Sequence, residues 1–137
     1  MFKTFTGLHR SVFVASKGRV AGRALGMPVV MLTTIGRRSG RSRRSMLTTP
    51  LELGDSFVLV ASFGGDDRHP SWFLNLRDRP EVEVTMRGET RQMQARVTSG
   101  DERSDLFARL SRSHPNYAAY QRRTDRELPV VVLGPIS

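Results

Sequence analysis

The sequence predicts an α+β fold: a small barrel of about six mainly antiparallel strands, with a few short helices over its openings. Three observations predict it. β-capable runs punctuated by turn residues recur from Val29-Val30-Met31-Leu32 to Val130-Val131-Val132-Leu133. Consecutive runs are joined by short turn sequences, Gly54-Asp55 and Arg87-Gly88-Glu89, so the strands pair mostly as hairpins. Helical patterns are short and few, centred on Trp72, Leu106 and Tyr117. A chain of 137 residues has the length of one ordinary domain and buries a core without staples.

Taken in order, residues 1–26 form a basic, helix-capable N-terminal segment ahead of a barrel domain at 27–137. Leu8, Val12 and Ala15 recur at helical spacing, with Phe13 widening the stripe and Lys3, Arg10, Lys17, Arg19 and Arg23 on the remainder. Such a helix lies on an anionic membrane or packs its apolar side across the domain. Gly18, Gly22 and Gly26 weaken it, which puts a boundary at Met27-Pro28. Val29–Leu32 then leads into a basic turn, and Met46–Leu51 leads out. Leu51–Leu53, Gly54-Asp55 and Phe57–Ala61 read as a hairpin, the second run apolar throughout, as in a strand covered on both faces. A Gly-Gly-Asp-Asp loop follows. His69–Asp78 is a short helix with Pro70 in its first turn and Trp72, Phe73 and Leu76 on its apolar side. Glu81–Met86 alternates as a half-exposed strand, and Thr90–Val97 alternates with Met93, Ala95 and Val97 on one face. A helix from Ser99 through Leu110, a break at His114-Pro115, a short helix carrying Tyr117 and Tyr120, and a closing strand at Leu128–Leu133 complete the chain.

The functional signal sits between the first two strands of the barrel. Arg37 to Arg44 holds five arginines in eight positions, framed by Gly36 and Gly40. Glycines let backbone amides approach a ligand, and guanidinium forks match phosphate or carboxylate oxygens. The stretch reads as an anion cradle or as a solvated hairpin loop. Lys and Arg outnumber Asp and Glu by 22 to 13, a net charge of +9, which calls for an acidic partner. The absence of cysteine excludes disulfides, thiolate metal sites and cysteine nucleophiles, and agrees with a cytoplasmic location. No apolar run approaches the roughly 20 residues that cross a bilayer, and the N-terminus has no signal-peptide core.

Catalytic constellations are sparse. There is no nucleophile elbow and no P-loop. His9, His69 and His114 lack metal-ligand spacing, so no metal is expected, and His69 and His114, each followed by proline, read as loop or cap residues. An anion cradle and aromatics without a nucleophile fit an enzyme whose cofactor carries the chemistry. Trp72 and the pair Tyr117/Tyr120 are candidates for a ring-binding pocket or for ordinary core packing.

Five segments in order carry a resemblance: Leu32-Thr33-Thr34-Ile35-Gly36-Arg37-Arg38-Ser39-Gly40; Val60-Ala61-Ser62 with Gly64-Gly65; His69-Pro70-Ser71-Trp72-Phe73-Leu74-Asn75-Leu76 with Pro80-Glu81-Val82; His114-Pro115-Asn116-Tyr117 with Tyr120-Gln121; and Thr124-Asp125-Arg126 with Pro129-Val130-Val131-Val132. From Pro28 onward the chain resembles the deazaflavin (coenzyme F420)-dependent nitroreductase family, actinobacterial proteins with a split β-barrel fold. The resemblance implies a cytoplasmic oxidoreductase that passes hydride from the reduced cofactor to a nitroaromatic, quinone or α,β-unsaturated acceptor. It places Arg37, Arg38, Ser39 and Arg43 on the cofactor's phosphate and acidic tail, and Arg44, Ser45, Met46, Leu47 and Thr48 along the ring. Val60, Ala61 and Ser62 fall under the ring, Trp72 and Asn75 on its far side. Tyr117 and Tyr120 face the substrate, Tyr117 also touching the cofactor, and with Ser62 they form the catalytic group. Two departures stand out: Phe63 replaces a common basic residue, and His114 stands where some members have tyrosine.

The alternatives are a flavin mononucleotide (FMN) protein of the same fold and a small basic nucleic-acid-binding domain. FMN's single phosphate needs fewer cations than this loop carries. Nucleic acid is not the expected partner, because the charge gathers in one loop and the N-terminal segment rather than in a stripe. The expected partner is a small-molecule electron acceptor, residues 1–26 are the candidate for peripheral membrane contact, and the chain is expected as monomer or homodimer.

Overall fold

The apolar run that the sequence marks as its first barrel strand becomes the axis of the sheet. The computed structural model describes residues 23–24 and 26–136. Within them that run forms β2, Met27–Ile35, flanked by the two-residue β1, Arg23–Ala24, and by β3, Ser42–Thr48. Then come β4, Leu51–Leu53; β5, Ser56–Val60; β6, Glu81–Met86; β7, Glu89–Val97; and β8, Val130–Pro135. A 3-10 turn at Phe63–Gly65 follows β5. The helices are α1, Ser71–Asp78; α2, Gly100–Ser113; and α3, Asn116–Gln121.

Every strand pair is antiparallel. The path across the sheet is β3-β2-β6-β7-β8-β5-β4, with β1 on the first two residues of β2. The end strands of that path, β3 and β4, are neighbours in sequence, separated only by Thr49-Pro50. The sheet therefore curls until its two ends meet at Thr49. There the backbone N–H of Thr49 donates to Pro28 O on β2 (3.1 Å), and its hydroxyl donates to Val58 O on β5 (2.7 Å). One buried threonine spans the seam of the barrel.

The continuous apolar runs sort to two sides, as a strand covered on both faces requires. Phe57 and Leu59 of β5, with Val131 and Leu133 of β8, enter the barrel interior, where Trp72, Phe73 and Leu76 of α1 stop its mouth. Val58, Val130 and Val132 face outward beneath Leu106 and Leu110 of α2 and Tyr117 of α3. Full burial of a side chain such as Phe57 or Leu133 contributes about 1.5–3 kcal/mol, so this double coverage anchors the fold.

The structure differs from the sequence reading in places. Eight strands form among the described residues rather than about six; the two-residue β1 was not expected, whereas β4 is the first arm of the expected hairpin. Arg23–Ala24, expected within an N-terminal helix, pair with β2 instead; the remaining part of that expectation, a helix over the earlier residues and its membrane contact, falls outside the described residues. The second strand begins at Ser42, not Met46: its basic half is drawn into the ladder because β2 supplies pairing partners up to Ile35↔Ser42. Pro70 caps α1 from an extended conformation and does not enter its first turn. Val97 is 41% exposed, because the core side of β7 ends at Ala95 and the chain then turns Thr98 inward onto Val130 O. No helix among the described residues is long and apolar enough to cross a membrane.

Candidate functional site

The basic turn is built on Gly36. Its N–H donates to Arg41 O and its carbonyl accepts from Gly40 N–H, both at 2.8 Å. A Cβ at Gly36 would stand 2.7 Å from Ser39 Oγ and 3.3 Å from Arg41 O, so a side chain there would push the serine hydroxyl out of the turn. Ser39 Oγ accepts from Arg41 N–H (3.2 Å) and Arg43 Nη2 (3.4 Å), which gathers the turn around one hydroxyl.

Asn75, on α1 and 4% exposed, fixes this turn to the helix. Its Oδ1 accepts from Arg37 N–H (3.1 Å) and Arg37 Nη1 (2.9 Å), and its Nδ2 donates to Thr34 Oγ1 (3.3 Å). Between turn and helix lies a cleft of about 370 Å³, lined by Gly36, Arg37, Arg38, Ser39, Arg43, Arg44, Ser45, Ser71, Trp72 and Asn75. The lining includes no carboxylate. Arg37, Arg38, Arg41 and Arg43 form no ion pair among the described residues. Such a site attracts a polyanion and penalises a cation.

A second part of the site follows β5. Ala61 is fully buried and Ser62 half-buried. Beyond them Phe63, with φ 45°, and Gly65, with φ 84°, bend the chain back under α3. A Cβ on Gly65 would stand 2.7 Å from Tyr120 O, so the loop approaches the helix as closely as backbone allows. Phe63 leaves a half-exposed aromatic ring beside the Arg68 guanidinium.

The tyrosines occupy a third place. Tyr117, 5% exposed, packs in the outer core and donates to Met27 Sδ at 3.6 Å. Burial first, offset in part by a bond to Thr48 and reinforced by Tyr120, raises its phenol above the ordinary tyrosine range, so it is protonated at neutral pH. Tyr120 meets it edge to face at 6.0 Å and lies under Arg123. His114 meets Tyr117 edge to face at 6.5 Å and borders a smaller cleft of about 170 Å³ with Met27, Pro28 and Leu51.

Of the residues singled out from sequence, Arg37, Arg38, Ser39, Arg43, Arg44, Ser45, Trp72 and Asn75 therefore meet in one cleft. Met46, Leu47 and Thr48 continue β3 beyond its lining: Met46 packs on Val29 and Met31, and Leu47 on the barrel core. Val60 ends β5 and Ala61 and Ser62 follow it, and Tyr117 and Tyr120 sit on α3; none of these five lines the arginine cleft. Sequence reasoning put Asn75 on the far side of the ring; Asn75 lines the cleft, with its amide bonded to Arg37 and Thr34. It missed Thr34, Ser71 and the Arg126 side chain, which binds the carbonyls of Ala61 and Ser62. Arg126 lay within a quoted motif, but no spacing rule connects it to residues more than 60 positions away.

Comparison with known proteins gives a consistent family. The profile of the F420H(2)-dependent quinone reductase family matches residues 6–135. An F420H(2)-dependent quinone reductase of Mycobacterium tuberculosis is 33% identical over 130 residues, covering 92% of this chain and 87% of the relative. A solved F420-H2 dependent reductase is 36% identical with a TM-score of 0.69, covering 77% of this chain and 93% of its own. Another solved chain, described as a domain-swapped dimer, is 32% identical with a TM-score of 0.71, covering 93% and 96%. At 12% identity and a TM-score of 0.54, a pyridoxamine 5'-phosphate oxidase-like protein of Listeria innocua shares the fold alone, covering 95% of this chain and 94% of its own. That likeness identifies the curled sheet as a split β-barrel.

Proposed function

The chain belongs to the F420H(2)-dependent quinone reductase family and is an F420-dependent reductase; from that premise we propose that the arginine cleft holds the phosphate and acidic tail of the cofactor and that the acceptor is of the quinone class. The carrying observation is the cleft: arginines from the turn and β3, braced by Asn75, with no carboxylate among the lining residues. That donor set fits a polyanionic tail.

When bound, the reduced deazaflavin supplies the hydride. The protein's own residues hold, orient and protonate. Arg37 is held by Asn75 before any ligand arrives, which lowers the ordering cost of binding. Arg38, Ser39, Arg43 and Ser45 line the remainder of the cleft, and Trp72 gives it an apolar wall. Val60, Ala61 and Ser62 form the floor for the ring, and Phe63 makes the acceptor side apolar. Tyr117 and Tyr120 face the reduced acceptor as hydrogen-bond and proton donors, and burial keeps the Tyr117 phenol in the protonated form that such donation requires. Likeness to a domain-swapped dimer makes a homodimer the form to look for, by light scattering.

The deciding experiment titrates the purified protein with coenzyme F420 and, in parallel, FMN. Tight F420 binding with weak FMN binding supports the reading. Preference for FMN, or salt-sensitive oligonucleotide binding with neither cofactor bound, overturns it. Arg37→Ala with Arg38→Ala is expected to weaken F420 binding more than about tenfold, since a charged hydrogen bond contributes roughly 1.5–3 kcal/mol. Tyr117→Phe is expected to lower kcat more than F420 affinity; an equal loss in both would make the phenol a cofactor contact.

A further inference from the structure

The Arg126 guanidinium is the most heavily committed donor among the described residues, and the tail and ring sites just described do not use it. Its Nε donates to Asp66 O (2.7 Å), Nη1 to Ala61 O (3.1 Å) and Nη2 to Ser62 O (3.0 Å). Nη1 also lies 3.1 Å from His69 Nδ1. A guanidinium has no acceptor, so His69 Nδ1 carries no proton and the ring proton is on Nε2. The backbone of Arg126 is itself clamped. Gln121 Nε2 donates to its carbonyl at 2.8 Å, and its N–H donates to Thr124 Oγ1 at 3.3 Å. Thr124 Oγ1 in turn donates to Asp67 Oδ1 at 2.7 Å, a second tie between the same two segments.

We propose that Arg126 is the positioning residue of the cofactor site, joining the Ala61-Ser62 floor to the His69 end of α1 and so setting the distance between the ring floor and the arginine cleft. The site is made of two pieces that are distant in sequence. The floor lies at and just beyond the end of β5, and the cleft wall is the first turn of α1, which begins two residues after His69. Between them run Phe63 to Arg68, a segment bent through positive φ at Phe63, Gly64 and Gly65. No strand pairing fixes this segment. Arg126 fixes it by drawing three carbonyls inward to one planar fork while holding the imidazole at the helix start. A lysine in its place carries the same charge but cannot span acceptors on four residues.

This inference rests on the proposed cofactor placement, and the experiment separates the two. In the wild-type protein without cofactor, 15N spectra of labelled imidazoles are expected to show His69 protonated at Nε2 and bare at Nδ1. A proton on Nδ1 overturns the brace whatever the cofactor does. Arg126→Lys and Arg126→Ala are then titrated with F420. Both are expected to bind about tenfold more weakly or worse, as ångström-scale misplacement of a site costs, and in both His69 loses its single tautomer. Millimolar guanidinium, but not methylammonium, is expected to restore affinity to Arg126→Ala. Should Arg126→Ala fail to fold, Arg126→Lys carries the binding test. Variants that bind F420 like wild type with His69 unchanged sink the proposal. A wild type that binds no F420 sinks the cofactor placement instead, and the imidazole spectra still decide the brace.

Discussion

His69 stands just before α1 and Asn75 within it, and each holds one arginine with a single acceptor atom. For Asn75 the acceptor serves both the backbone and the side chain of Arg37. Asn75→Leu keeps the branched shape, removes the amide, and strands the Arg37 N–H and the Thr34 hydroxyl. We expect a stability loss of about 1–3 kcal/mol in urea unfolding, the cost of unsatisfied buried groups, together with weaker F420 binding. Full stability with unchanged binding would mean the turn stands without its anchor. For His69, burial first, then the charges of Arg126 and Arg77, hold the imidazole below its ordinary range. The unfolded chain takes up a proton near pH 6.5 (about the free value), whereas the folded chain refuses it until lower pH. Above that value both states are neutral and the contribution is constant. As pH falls through it the unfolded state gains protons alone, and stability declines until the folded pKa is reached. His69→Asn, with Oδ1 placed where Nδ1 accepts, is expected to remove this part of the acid sensitivity. An unchanged pH profile for the variant would show that His69 does not carry it.

At the level of elements, the barrel depends on how β3 passes into β4. Thr49 sits at that corner and bonds to both β2 and β5, strands that do not otherwise pair. Thr49→Val preserves shape and removes the hydroxyl. It is expected to cost about 1–3 kcal/mol, since Val58 O loses its side-chain donor, and to raise hydrogen exchange in β4 before β2, because β4 pairs with β5 alone. Uniform exchange across both strands would place the seam elsewhere. The elements themselves were legible where side chains record their surroundings. Alternation in Glu81–Met86 and the unbroken apolar run of β5 state which faces are covered, and Pro70 and Pro115 mark where helices start. Ser42-Arg43-Arg44-Ser45 was not legible as strand, because its residues have little preference for the sheet and are recruited by the partner β2 offers. The cleft was legible because its arginines are contiguous. The Arg126 brace was not, because its acceptors lie 57 to 65 positions away and three are backbone carbonyls, which any residue type supplies.

Over the whole molecule the charge is unevenly spent. Outside the turn, Arg87 pairs with Glu52, Arg96 with Glu102, Arg68 with Asp66 and Arg91 with Glu89, all exposed pairs that add little stability but cancel charge locally. Arg37, Arg38, Arg41 and Arg43 have no such partner among the described residues, so part of the +9 excess gathers where β2 turns into β3, while Lys3, Arg10, Lys17, Arg19 and Arg23 carry another part of it in a stretch without acidic residues. A field from exposed guanidinium groups is screened over about 8 Å at physiological ionic strength. F420 affinity should therefore fall steadily as salt is raised, and FMN, with one phosphate, should show a shallower dependence. Arg38→Gln should weaken F420 binding at low salt and flatten its slope. Arg91→Gln, which removes an equal charge already paired on β7, should leave both unchanged. If both variants shifted the slope equally, net charge alone would attract the ligand and the cleft would confer no selectivity. If only Arg38→Gln does, the location of the charge rather than its sum makes this barrel a receptor for a polyanionic cofactor.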